Sequence, residues 1–401
     1  MRQALTQPER EETRLMAYSR NVLSQILQWI PSFEFQKGVD QYGGDQRVRR
    51  LPCWSQFVGL LFGQLTGHNS LRAIEAGLKG VRTKLYHLRI AFEIHRSTLS
   101  DANDRRDPRI FEKAFYSLLP KVQSLAPKNK LKLKGPVLAL DSTTIELCLE
   151  LSPWAQFHHG KGAMKLHIAV DIAGDLPTVM VLTEARKHDV TVARKIAFPP
   201  GTLLIMDRGY VDFEWMWDLT QQGVWFVTRM KKGCRHKVRE CRKTDRTQGL
   251  LADQTIQLKN KGYEGKLRKV SYRDPETGHK YIFLTNRFDL AAITICNLYK
   301  ARWQVELFFK TMKQQLQVKK FLGTSVNAVK IQVWVALIAY LLLMIVKFQS
   351  KLGWGMPAIM AALTVVLFSN SDLTTIWQEV PKDRCLVARS HQLSLLNLTG
   401  H

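Results

Sequence analysis

The chain is short of acidic residues. Its 401 residues hold 34 Asp and Glu against 59 Lys and Arg, for a formal net charge of +25 and a pI near 9.9. A deficit of this size argues against an acidic or charge-neutral binding module. It predicts a polyanionic partner, with nucleic acid ahead of an anionic membrane surface. Cysteine is sparse and scattered: Cys53, Cys148, Cys234, Cys241, Cys296 and Cys385 form no CxxC pair. Cys234 and Cys241 bracket His236 at a spacing that suits no common zinc site, so neither a disulfide scaffold nor a structural metal is expected. The N-terminus from Met1 to Arg10 has no apolar signal-peptide segment. These features predict a reduced, cytoplasmic and nucleoid-associated protein. No uninterrupted apolar run reaches the roughly 20 residues of a membrane span. Val333–Val346 stops at 14 residues between Gln332 and Lys347, and the run from Met356 to Phe368 contains Pro357. Both are expected to be buried helices or a dimer contact, with no membrane partner. There is no long repeat or low-complexity tract.

Set against these absences is the segment from Tyr299 to Lys313. It reads as a helix in which Tyr299, Arg302, Glu306 and Lys313, spaced by three, four and seven residues, share one face. Val305, Leu307, Phe308 and Phe309 supply apolar flanks. An aromatic, an arginine, a carboxylate and a lysine on one stripe suit a phosphate chain beside a metal. An ordinary Arg302–Glu306 pair on a solvated face is the plainer alternative. Two apolar runs each end in an aspartate: Val137–Leu140 before Asp141-Ser-Thr-Thr, and Leu203–Met206 before Asp207-Arg-Gly-Tyr210. Each reads as a buried strand delivering a carboxylate at its C-terminal end. Alone, such an aspartate suits a turn or a cap.

Together the three acids suit phosphodiester chemistry. Two divalent ions about 3.5–4 Å apart can serve both the attacking and the leaving oxygen. Mg²⁺ prefers oxygen ligands and keeps several waters, so few carboxylates are needed. Asp141 is the expected bridging ligand of two Mg²⁺ ions (or Mn²⁺), with Asp207 and Glu306 each completing one. Without metal, three clustered carboxylates repel one another, which makes them poor structural choices. Arg302 can grip a phosphate bidentately. Tyr299 can donate a hydrogen bond to phosphate or stack on a displaced base, and Lys313 can reach the DNA backbone.

The remaining candidates have competing structural readings. Arg208 is placed to reach phosphate, and Gly209 is expected to permit a tight turn. Asp189, after His188, reads as the cap of its helix rather than a ligand. Lys165 and His167 share one face of a strand. Ser142 and Thr143 have no neighbouring histidine base, which argues against nucleophilic catalysis by either.

The length favours two or more domains. Residues 1–125 read as helical. Helices near Ser70–Leu78 and Ser97–Arg106, around a glycine-containing connection, suggest either a helix-turn-helix reader or a plain helical bundle. In the first case Arg96, Asn103, Arg105 and Arg106 face DNA. Ala126–Pro136 is a basic linker. Strands are expected at 137–145, 164–171, 178–184, 202–207 and 224–229, and helices at 189–198 and 211–222. The first three strands read as antiparallel neighbours and the fourth as a parallel addition after a helical crossover. From Arg229 to Arg287, 17 Lys and Arg stand against 6 Asp and Glu in a strand-like pattern.

The order Asp141, Asp207, Glu306, with the spacing Tyr-x2-Arg-x3-Glu-x6-Lys around the last, resembles the DDE transposases of the insertion-sequence IS-four family. Residues 54–67 and His95–Leu99 resemble the N-terminal domain found in many of them. The resemblance covers roughly residues 20–345. It implies an α/β fold: a ribonuclease H-like catalytic core (137–229 and 297–330) with a β-rich insertion (230–296). A helical DNA-binding domain (1–125) precedes the core, and a C-terminal helical or dimerisation region (331–401) follows. It also implies metal-dependent DNA cleavage and strand transfer by a homodimer on paired element ends. By the same resemblance, Tyr299 and Arg302 take the 5′ phosphate near the cleavage point, Lys313 takes a DNA contact, and the insertion touches DNA. Some related enzymes pass through a hairpin held by an insertion tryptophan; none occurs here between Trp225 and Trp303. A nuclease without strand transfer, or an inactive DNA-binding copy, are the alternatives.

Overall fold

The computed structural model describes residues 21–127, 133, 135–147, 162–259, 262–316, 322–350 and 353–378. The C-terminal tail after 378 and most of the 126–136 linker lie outside these. The chain divides into two compact units, one made of 1–125 with 312–401 and the other of 126–311. The described secondary structure of the first unit is helical, and that of the second is dominated by one large sheet.

The helical unit begins with α1 (Val22–Leu27), α2 (Ser32–Gln41), α3 (Cys53–Thr66), α4 (Leu71–Gly80), α5 (Arg96–Arg105) and α6 (Arg109–Leu125). Helix α3 is apolar on nearly every side and is buried accordingly. It stops at Gly67, whose left-handed φ of 74° is cheap only for glycine. Ser70 caps α4 through a bond from the Ala73 N–H.

The second unit contains β1 (Val137–Leu147), β2 (Gly162–Asp171), β3 (Leu176–Glu184), α7 (Asp189–Ala193), β4 (Leu203–Met206), α8 (Phe213–Gln221) and β5 (Trp225–Arg229). It continues with β6 (His236–Arg242), β7 (Leu250–Leu258), β8 (Lys266–Arg273), β9 (Lys280–Thr285), α9 (Ala292–Ala301) and α10 (Trp303–Gln314). The unit boundary falls inside α10. The sheet order is β3-β2-β1-β4-β5-β9-β8-β7-β6. Strands β1, β2 and β3 pair antiparallel, and β4 adds parallel to β1 and β5 parallel to β4. Pro177, which cannot donate to a ladder, sits in the outer strand β3 beside a register shift. The opposite edge, β6, is exposed from Lys237 to Cys241 and carries Lys237 and Arg239, charges that blunt edge-to-edge pairing.

The 230–296 segment continues this sheet. Strand β9 pairs antiparallel with β5, and β8, β7 and β6 follow outward. One hydrophobic core joins Leu140, Met206, Trp215 and Phe226 to Ile256, Leu267 and Leu284. The helix expected over 189–198 is shorter, ending at Ala193 before Pro199 and Pro200. That over 211–222 starts at Phe213, where Asp212 accepts from the Trp215 N–H.

The chain returns to the helical unit through α11 (Val326–Ser350), α12 (Met356–Val366) and α13 (Leu373–Gln378). Helix α11 is long and apolar enough to cross a membrane. Here it is a core helix, buried at every position from Ile331 to Val346, with α3, α5, α6 and α12 packed around it. The C-terminal helices thus complete the N-terminal bundle within one unit.

The bundle corrects the helix-turn-helix expectation. Helices α4 and α5 are separated by residues 81–95, including a 3-10 segment at Arg82–Leu88, rather than by a 3–4-residue turn. Arg106 is only 7% exposed. Its guanidinium donates to the Gly44 and Leu51 carbonyls and the Gln56 side chain, and it pairs with Asp45. Asn103 is buried and accepts from Gln56. Both therefore hold helices together and are withdrawn from the DNA-facing set, whereas Arg96 and Arg105 are exposed.

Candidate active site

Strand register brings the two aspartates to one level. Leu140 of β1 pairs with Met206 of β4, so Asp141 and Asp207, one residue further along each chain, are neighbours at the same height. Side chains alternate along a strand, so residues 137, 139 and 141 share a face with 203, 205 and 207.

Tyr299, Arg302 and Glu306 meet this face. Arg302 Nη1 donates to Asp141 Oδ2 at 3.0 Å, and Nη2 donates to Glu306 Oε1 at 2.7 Å. The Tyr299 hydroxyl donates to Asp207 Oδ1 at 3.3 Å. The Ser142 backbone N–H donates to Asp141 Oδ1 at 2.8 Å. The segment is not one unbroken helix. Tyr299 lies in α9 and Glu306 in α10, with Arg302 at the junction. Bonds there tighten to the i→i+3 type, from Arg302 N–H to the Tyr299 carbonyl and from Val305 N–H to the Arg302 carbonyl. Lys313 lies in the last turn of α10, beyond the unit boundary.

Burial pushes the Asp141 carboxyl up to about 6. The Ser142 N–H and Arg302 oppose the rise, while Asp207 and Glu306 add to it. Burial also pushes the Tyr299 phenol up to about 12, keeping it a donor. Burial works against the Arg302 charge, but Tyr299, Asp141 and Glu306 outweigh it and hold the guanidinium protonated. Its Nε is buried without a partner. Behind Tyr299, Phe283 lies at a centroid distance of 4.9 Å, and Tyr281 stacks on Phe283.

Arg208 is exposed at the start of a 3-10 turn, Arg208–Tyr210. Gly209 lies in that tight turn, as expected, without left-handed backbone. Asp189 is not a cap. It sits in the first turn of α7, where His188 takes the N-cap position without a side-chain bond. Its Oδ1 accepts from the Ser142 hydroxyl at 2.7 Å and lies 3.0 Å from Lys165 Nζ and 3.4 Å from His167 Nδ1. The signal for this cluster was in the strand pattern. Ser142 and Thr144 of β1 pair with His167 and Lys165 of β2, so these polar side chains share the face opposite Asp141. What could not be read from the strands was that Asp189 would join them from α7.

The donor set suits a hard divalent cation. Asp141, Asp207 and Glu306 offer only oxygen, and Asp141 is a half-buried carboxyl that desolvation pushes up. Among the described residues no three His, Cys, Asp or Glu are close enough to share one ion. The cation now between Asp141 and Glu306 is the Arg302 guanidinium, a stand-in for the charge this site accepts. In chemical kind, though not in their present spacing, these donors fit a divalent cation.

Comparison with known proteins identifies the family. Residues 132–342, which include all three acids, match the model described as the transposase DDE domain. Residues 19–91 match one described as Domain of unknown function (DUF4372). A Sinorhizobium fredii protein named as transposase y4zB is 31% identical over 310 residues, or 74% of this chain and 85% of its own. A Geobacillus stearothermophilus protein named as the transposase of insertion sequence element IS5377 is 31% identical over 261 residues, or 64% of this chain and 68% of its own. A Synechocystis protein named as a transposase of element IS4SA is 23% identical, over 65% of this chain and 74% of its own. The chain therefore belongs to the DDE-type transposases of insertion sequences.

Proposed function

We propose that this transposase binds the ends of its insertion sequence as a homodimer, cleaves DNA there, and joins the freed 3′ ends to target DNA. The reactions are phosphodiester hydrolysis followed by transesterification. The observation that carries this reading is the junction at Arg302, where one guanidinium holds Asp141 and Glu306 while the adjacent tyrosine holds Asp207. The strand order β3-β2-β1-β4-β5 supports a ribonuclease H-like core, and the Tyr299, Arg302, Glu306, Lys313 spacing supports the IS-four branch.

Family membership implies divalent-metal use in general. We assign two Mg²⁺ ions, with Mn²⁺ as substitute, to Asp141, Asp207 and Glu306; when bound they supply Lewis acidity to the attacking and leaving oxygens. The chain's own residues do the rest. Arg302 exchanges its two carboxylates for a phosphate beside the cleavage point, which its planar fork can grip through two bonds. That exchange couples DNA arrival to release of the acids. Tyr299, held protonated, donates to the same phosphate or stacks on a displaced base. Arg208, Lys313, Arg96, Arg105 and the basic strands β6–β9 hold the flanking backbone.

The test is Mg²⁺-dependent cleavage of the element's flanked ends by the wild type and by Glu306→Gln. We expect cleavage at the terminal nucleotides, lost by about a thousandfold in the variant, a barrier change of several kcal/mol, with DNA binding kept. Binding without cleavage in either protein overturns the catalytic assignments. Cleavage without joining of paired ends to target DNA reduces the protein to a nuclease.

A further inference from the structure

Each aspartate of the candidate triad is followed by a segment that touches α7. Ser142 comes directly after Asp141, and its hydroxyl donates to Asp189 at 2.7 Å. The 3-10 turn Arg208–Tyr210 comes directly after Asp207 and packs on α7. Asp189 is therefore on the face of the sheet opposite the acids, yet it contacts the residue that orients one of them.

The two oxygens of Asp141 are held differently. Oδ2 is held by Arg302, which is the group expected to leave for phosphate. Oδ1 is held by the Ser142 backbone N–H. Once Arg302 has left, that N–H is the remaining restraint on the carboxylate. Its direction depends on the peptide plane at Ser142, which the ladder to His167 of β2 and the side-chain bond to Asp189 both hold, with the Tyr210 hydroxyl close to the same Ser142 side chain. Lys165 in turn pairs with Asp189 at 3.0 Å, while His167 lies beside it with Nδ1 at 3.4 Å and no hydrogen bond, its Nε2 meeting the Thr183 hydroxyl at 3.0 Å. His167 is 1% exposed and Asp189 28%, so the anchor sits at the margin of the sheet's buried face.

We propose that Asp189 is a positioning residue for Asp141, fixing Ser142 so that its N–H keeps the carboxylate aimed at the metal site. The inference rests on the metal reading above. Partners that orient a ligand from behind typically change metal affinity by about 10–100-fold when removed. The Ser142 hydroxyl and Asp189 act in series, so removing either should cost as much as removing both.

The experiment measures Mn²⁺ binding to the full-length chain by electron paramagnetic resonance of the free ion, alongside steady-state cleavage of element ends. Ser142→Ala and Asp189→Ala are each expected to weaken Mn²⁺ about tenfold, and the double variant no further. The kcat for cleavage should fall while KM for DNA holds. Ser142→Thr, which keeps the hydroxyl, and Asp189→Asn, which keeps the acceptor oxygen but not the charge, should both bind Mn²⁺ nearly as the wild type does. Additive losses, or unchanged Mn²⁺ affinity in a folded Asp189→Ala, overturn the proposal. So does an Asp189→Asn as weak as Asp189→Ala, which would make the charge itself the active feature. If Asp189→Ala does not fold, Ser142→Ala against Ser142→Thr decides alone. A wild type that binds no Mn²⁺ overturns the metal reading and this inference with it, a result distinct from failure of the variants.

Discussion

The two halves of the sheet use charge in different ways. In β1 and β4 the apolar residues Val137–Leu140 and Leu203–Met206 are all buried, and one carboxylate follows each run. In β6 the residues from Lys237 to Cys241 are exposed, and cations recur along the strand. A single charge in a desolvated setting is strongly perturbed, as the Asp141 carboxyl raised by burial illustrates. Many charges in water each matter little, and only their sum attracts a polyanion. The first arrangement suits chemistry and the second suits adhesion, although one continuous sheet carries both.

The basic half also holds buried charge, and one pair there gives the largest stability prediction. Arg268 of β8 and Asp253 of β7 form a buried bidentate pair at 2.8 and 2.9 Å, and Arg268 also donates to the Phe288 and Leu290 carbonyls just before α9. Asp253→Ala would leave that arginine buried and unpaired. It should cost about 3–5 kcal/mol in chemical denaturation, and a loss like that of an exposed pair would mean the site is wet.

Next comes Arg302→Lys, which keeps a cation but loses the fork. Charge-assisted hydrogen bonds contribute about 1.5–3 kcal/mol, so cleavage should fall about ten- to a hundredfold. Mn²⁺ affinity without DNA should rise, because the bridge on Asp141 and Glu306 is weaker. Faster cleavage and weaker metal binding together would contradict the exchange role.

Asp141→Asn separates stability from activity. An aspartate whose folded pKa is raised favours folding most below its ordinary 3.8 and loses that advantage as pH rises through about 6. In metal-free melts the variant should therefore gain Tm relative to the wild type near neutral pH, with the gain vanishing toward pH 4, while cleavage is lost throughout. An equal shift at both ends of that window would show that Asp141 carries no charge penalty.

The smallest effect is expected at the exposed edge. Lys237→Gln or Arg239→Gln should leave kcat alone and flatten the log–log salt dependence of duplex binding by about 0.9 for each phosphate no longer neutralised. An unchanged slope in both would take β6 out of the DNA surface.

Much of the second unit was legible because its signals are local. An apolar run that ends in Asp-Ser-Thr or Asp-Arg-Gly reads as a buried strand, since strands covered on both faces carry no alternation. The spacing of Tyr299, Arg302 and Glu306 follows the turn of a helix, so the break at Arg302 did little to disperse them. The 230–296 segment was legible as β-rich and basic. Its continuity with the main sheet was not, because strand pairing between β5 and β9 leaves no mark on either strand alone. Arg106 misled for a similar reason. An arginine at the end of a polar helix looks solvated until the Gly44 and Leu51 carbonyls and Gln56 close around it.

The sequence by itself determined the charge balance, the three acids and their order, and the apolar stretches that had to be buried, because each of these depends on residue type and short-range period. Only the tertiary structure decided which groups meet. Arg302 between Asp141 and Glu306, Asp189 behind Ser142, and the C-terminal helix α11 at the centre of the N-terminal bundle all join residues far apart in the chain. Burial and hydrogen-bond partners are properties of such meetings, and they set whether a charge is a tuned group, a structural pin or part of a diffuse field.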